Sequence, residues 1–209
     1  MPPPPSKTVE LPSANAAAVG ISDLLAVRRT VLSPCRLYRY TLWREWSDDL
    51  FVNRTNYAMF IGLNPSTADE TLDDPTIRKC VGFAKRWGYL ALCMTNLFAF
   101  RATHPRKMKC QSKPIGDQND RWLSACARDA GIIVAAWGVN GEHMGRDEEV
   151  LKLIDRVESL RTTKAGFPEH PLYVPYETLT KPYGGRTANE KVSEVAEQPE
   201  RHKMQSASP

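Results

Sequence analysis

The chain has 209 residues, 42% hydrophobic and 25% charged, enough for one well-buried core and not calling for a second domain. The longest apolar runs, around residues 57–63 and 131–137, are far too short to cross a bilayer. The start, Met1-Pro2-Pro3-Pro4-Pro5, lacks the basic opening and apolar stretch of a signal peptide, so a soluble cytoplasmic protein is expected. A net charge of +4 permits an anionic partner without demanding one.

Residues 1–20 are rich in Pro, Ala and Ser without any period, which predicts a disordered leader. One domain is expected over residues 21–180, followed by a polar tail over 181–209. Residues 36–46 alternate aromatic and β-branched side chains as a strand does, and 50–52 is a candidate antiparallel partner. Residues 56–63 form a nearly continuous apolar run ended by Gly62 and Pro65, the pattern of a strand covered on both faces.

Asp74-Pro75 opens a helix in the preferred way, cap then proline, with Ile77, Val81 and Ala84 as its apolar stripe and Gly88 at its end. Residues 89–95 predict a second buried strand that stops at Asn96. A long loop follows, in which Arg101, His104, Arg106, Lys107, Lys109 and Lys113 come with no acidic residue among them. A helix is expected over 117–130, a third buried strand over 131–137, a helix over 142–160, and a fourth strand within 163–174. Helices alternating with buried strands predict a three-layer αβα sandwich around a mostly parallel four-stranded sheet.

In such folds ligands sit beyond the carboxyl ends of the strands. There the sequence puts Asn64, Asn96, Trp137-Gly138 and His170. Gly62-Leu63-Asn64-Pro65-Ser66 leaves its strand in a sharp turn: Gly lets a ligand approach, Pro fixes the turn and Asn presents a neutral amide. Asn and Pro are also ordinary turn formers. Asn96 can read a donor and an acceptor on a planar ring, and Phe98 or Phe100 can stack on it; equally, Asn96 can be a cap beside core phenylalanines. His170, held extended before Pro171, can donate to a developing anion.

The basic stretch can neutralise phosphates or simply be solvated. Cys35, Cys80, Cys93, Cys110 and Cys126 include no Cys-x-x-Cys, and the histidines lack paired spacing, so neither metal nor cofactor is expected.

Two resemblances bear on function. Gly62–Asp69, Asp74–Cys80, Asn96–Thr103, Gly116–Asp120, Ala136-Trp137-Gly138 and His170-Pro171-Leu172-Tyr173 resemble the domain of unknown function family 1643. The same landmarks resemble the uracil-DNA glycosylase superfamily, above all its mismatch-specific thymine/uracil branch. Gly62-Leu63-Asn64-Pro65-Ser66 is similar to that branch's Gly-Ile-Asn-Pro motif. Thr95-Asn96-Leu97-Phe98 with Arg101 and Thr103 is similar to its second motif. His170-Pro171 meets only the first half of the superfamily's His-Pro-Ser-Pro loop.

The glycosylase resemblance implies that Asn64 positions the attacking water and His170 faces the base carbonyl as the base leaves. It assigns Asn96 to reading the base, with Gly62, Leu63, Pro65, Ser66, Phe98 and Phe100 around it. Phosphate contacts fall to Arg101, Arg106, Lys107 and Lys109. The expected activity is that of a monomeric DNA glycosylase acting on a flipped, 5-substituted pyrimidine, in repair or in defence against modified phage DNA. The alternatives are a hydrolase of free nucleotides or nucleosides, and a non-catalytic nucleic-acid-binding module.

Overall fold

The computed structural model describes residues 28–46, 56–66 and 73–186. The expected leader, most of the tail and the candidate strand over 50–52 lie outside those residues. One sheet organises the rest. Its strands are β1 (Arg28–Leu32), β2 (Arg39–Glu45), β3 (Tyr57–Gly62), β4 (Ala91–Asn96), β5 (Ile132–Ala135), β6 (Val157–Ser159) and β7 (Lys181–Pro182). They lie side by side in the order β1-β2-β4-β3-β5-β6-β7. The pairs β4–β3, β3–β5 and β5–β6 are parallel, whereas β1–β2, β2–β4 and β6–β7 are antiparallel. The four-stranded sheet expected from sequence is therefore a mixed sheet of seven strands.

The period of two decides which side chain faces which layer. Met59 and Ile61 of β3 belong to one cluster with Cys93, Ile133 and Ala135. Leu123, Cys126 and Ala127 of α3 (Asn119–Arg128), Val150 of α4 (Arg146–Leu153) and Met108 of the short α2 (Pro105–Lys109) pack there. Ala58 and Phe60 face the other way, with Leu92, Met94 and Val134, onto Ile77, Cys80, Phe83 and Ala84 of α1 (Pro75–Arg86). Helices thus cover both faces, and all six residues of β3 are buried.

Helix α1 starts as its sequence predicts: Asp74 accepts from the Ile77 amide at 2.9 Å, and Pro75 occupies the first turn. Trp87 follows its last turn and stacks on Phe60, with ring centroids 5.8 Å apart.

Three boundaries differ from expectation. The helix expected over 142–160 is only α4, preceded by a 3₁₀ turn over Val139–Gly145. Positive φ at Met144 (62°), Gly145 (67°) and Arg156 (59°) breaks the helical path on both sides. Val157 thereby becomes the start of β6, and this is the fourth parallel strand rather than a segment within 163–174. The latter folds back on itself through a Thr162–Pro168 bridge, then makes a 3₁₀ turn over Pro171–Tyr173. Finally, β7 and the buried ring of Tyr183 carry the fold past residue 180. No helix among the described residues is long and apolar enough to cross a membrane.

Candidate functional site

The carboxyl ends of β3 and β4 are joined in register, Gly62 beside Asn96. Their pairing continues past the sheet: Leu97 N–H donates to Gly62 O, Phe98 N–H to Leu63 O and Ala102 N–H to Pro65 O, each at 2.9 Å. Asn64 adds the side-chain stitch. Its Nδ2 donates to Ala102 O at 2.6 Å and to Pro65 O at 3.1 Å. Both amide protons are thereby spent on backbone carbonyls, and the remaining polar atom, Oδ1, is an acceptor.

Asn96 is 2% exposed. Arg39 on neighbouring β2 donates to its Oδ1 at 3.5 Å. A guanidinium can only donate, so this contact fixes which way the amide faces. Its Nδ2 lies over Gly62, where an added Cβ would come within 2.8 Å of Nδ2 and 2.7 Å of the Met94 methyl. Gly62 is needed here for space rather than for backbone conformation.

The main chain behind Asn96 is held equally firmly. Asn119 Nδ2 donates to Asn96 O at 3.0 Å and to Leu97 O at 2.9 Å, and buried Arg146 donates through Nε to Leu97 O at 3.1 Å. Arg146 also pairs with Asp120 and, at 3.1 Å, with Glu149.

The next strand reaches the same edge. Ala136 N–H donates to Ile61 O at 2.9 Å, and Gly138 N–H to Pro168 O at 3.0 Å, which docks the segment leading to His170. Trp137 is buried between them, and its indole N–H has no partner among the described residues. Gly141 packs so close beneath this ring that a Cβ there would collide with it.

His170 is half-buried. Its Nδ1 accepts from the Leu172 amide at 3.4 Å, which leaves Nε2–H as the donor of a neutral ring. Burial lowers its pKa below the usual 6.5, and the negative charge of Asp74 opposes that shift. Beyond it Leu172 and Tyr173 are exposed, Tyr173 by 77%. Ser66 is half-buried at the end of the Gly62 turn.

The two candidate stacking rings differ. Phe98 has no exposed surface and packs in the core, 5.6 Å from the His143 ring, whereas Phe100 is half-buried and edge-to-face with Tyr38. Beside Phe100 opens a cleft of about 860 Å³, lined by Arg101, Thr103, Arg106 and Lys107 among others. Lys109 is not part of that lining; His143 has its pKa lowered by burial and by the Lys109 ammonium.

Arg39, Asn119 and Arg146 were not among the candidates read from the sequence. Arg39 left no signal of its own, being one of four charged residues in the strand-like stretch 36–46. Asn119 lies within the Gly116–Asp120 motif, but Arg146 left none. Among the described residues no three His, Cys, Asp or Glu side chains gather as metal ligands would.

A family model described as "protein of unknown function (DUF1643)" matches residues 39–172. No curated protein and no solved structure matches the chain.

Proposed function

The chain belongs to the DUF1643 family, and we propose that it is a DNA glycosylase that hydrolyses the N-glycosidic bond of a flipped pyrimidine. The observation that carries this reading is the pairing of two amides at the carboxyl ends of adjacent parallel strands. Asn64 has its protons committed and its Oδ1 free to accept, while Asn96 is buried and held in one orientation. Contiguous parallel strands with helices on both faces agree with the glycosylase resemblance of the sequence motifs.

The chemistry follows from those groups. A base inside a duplex is out of reach and must be flipped out, at a cost of a few kcal/mol. Breaking its bond to the sugar leaves positive charge on the sugar and negative charge on the base. An amide is too weak a base to take a proton from water, so Asn64 Oδ1 orients the attacking water by accepting one hydrogen bond. Neutral His170 donates from Nε2 to the oxygen of the departing base, where one well-placed donor contributes about 3–4 kcal/mol. Water adds to the sugar carbon as the base departs with the bonding electron pair, and the proton that the water sheds passes through solvent to the departing base anion. Asn96 reads the ring edge. The small Ser66 leaves room for a group on carbon five.

Incubating the protein with duplexes carrying different modified pyrimidines and assaying for abasic sites tests the reading. Abasic product is expected on a 5-substituted base. Salt-sensitive DNA binding without abasic product on any substrate would replace it with the binding-module reading.

A further inference from the structure

We propose that the cleft between Phe100 and α2 is a nucleotide subsite in its own right. It takes an unpaired nucleotide of single-stranded DNA, with phosphates on Arg101, Arg106 and Lys107 and the base against Phe100. The inference takes DNA as partner from the proposed function but does not depend on base release.

The cleft, at about 860 Å³, falls within the size range of small-molecule sites and exceeds what a lone phosphate needs. Its charge is one-sided, since its lining holds Arg101, Arg106 and Lys107 and no acid. Its walls are built rather than loose. Phe100 N–H donates to Pro114 O at 3.0 Å, and Arg101 N–H to Leu37 O at 2.9 Å. Tyr38 braces the Phe100 ring edge-on, with centroids 5.8 Å apart, and its hydroxyl donates to Lys113 O at 3.1 Å. Arg101 donates through Nη1 to Arg36 O at 3.3 Å, and its buried Nε has no partner among the described residues.

The aromatic wall decides between duplex and single strand. A duplex turns phosphates outward and keeps its bases stacked inside, so an aromatic ring among the cations gains nothing from it. A cationic groove with an aromatic platform is the combination that binds unpaired strands. The subsite also adjoins the first site, because Ala102, which lines it, offers its carbonyl to Asn64. A strand leaving one side of this loop enters the other.

Fluorescence anisotropy of the full chain with a labelled oligodeoxythymidine, alone and annealed to its complement, tests the idea. The single strand should bind at least tenfold tighter than the duplex. Phe100→Leu should weaken single-strand binding by roughly five- to a hundredfold without altering the salt slope. Arg106→Gln with Lys107→Gln should flatten that slope. An oligomer of abasic residues, which keeps the phosphates and lacks the bases, should bind the unaltered protein as weakly as thymidine binds the Phe100 variant. Equal affinity for single strand and duplex, or for the abasic and thymidine strands, overturns the subsite even if abasic sites form in the glycosylase assay. Absence of abasic product with these binding results intact would remove only the catalytic reading.

Discussion

Replacing Asn64 by Ala removes two hydrogen bonds that stitch the Gly62 turn to Ala102, together with the acceptor for the attacking water. The stitch is half-buried, so a stability loss of about 1–2 kcal/mol is expected. Single-turnover base release should fall roughly 100-fold or more, since a misplaced nucleophile forfeits the reactive geometry. DNA binding should be retained. Unchanged turnover in a folded Asn64→Ala protein would reduce Asn64 to a turn residue. Ser66 bears on substrate size. The motif resembles the mismatch-specific branch; in the superfamily's classical uracil-specific branch a Tyr at the corresponding place blocks groups on carbon five. The unaltered protein should therefore release a 5-substituted pyrimidine faster than uracil, and Ser66→Tyr should reverse the order. Rates on matched duplexes decide it, and faster release of uracil by the unaltered protein would point to another wall of the pocket.

At the scale of elements, the basic stretch separates into two parts. Arg106 and Lys107 line the cleft, whereas Lys109 does not and acts electrostatically on His143. Changing all three to Ala should weaken binding to every DNA sequence alike, and the salt slope should shallow by about 1.4, the contribution of two phosphate contacts to a single strand rather than three. An unaltered slope would make α2 a merely solvated surface. The tie between α3 and the end of β4 rests on Asn119, which is fully buried and serves two carbonyls. Asn119→Leu keeps the volume and takes the side-chain donor from Asn96 O, while Leu97 O retains Arg146. A destabilisation of about 2–3 kcal/mol is expected, read as a lower urea midpoint with an unchanged slope. A midpoint within error of the parent would show that the contact contributes nothing net.

For the molecule as a whole, His170 links the site to pH. Its folded pKa lies below 6.5 because burial disfavours the imidazolium. The unfolded chain therefore takes up this proton first as pH falls. The stability it contributes is complete above about 6.5 and is lost as pH drops through that value towards the folded pKa. Melting temperatures should decline over that window, and His170→Gln should decline less. His143 is shifted the same way and keeps its own share in the variant. Identical profiles for the two proteins would mean that His170 titrates alike folded and unfolded.

Local pattern determined much of this protein. The runs that became β3, β4 and β5 are buried on both faces, so continuous apolarity marked them. Asp74-Pro75 marked the start of α1 because cap and proline act within one turn. The turn Gly62-Leu63-Asn64-Pro65 was legible because its chemistry is local. The start of the fourth parallel strand was not. Val150, Leu151, Ile154 and Val157 fit a helical stripe, and the extended backbone at Ile154 with the left-handed one at Arg156 separates helix from strand. The short antiparallel strands β1 and β7 carry too few residues to show a period; their partners across the sheet define them. The polar frame of Arg39, Asn119 and Arg146 around Asn96 joins residues 23 to 57 positions apart in sequence. No spacing rule reaches that far. Buried polar groups are driven to find partners, and tertiary packing alone decides which ones they find.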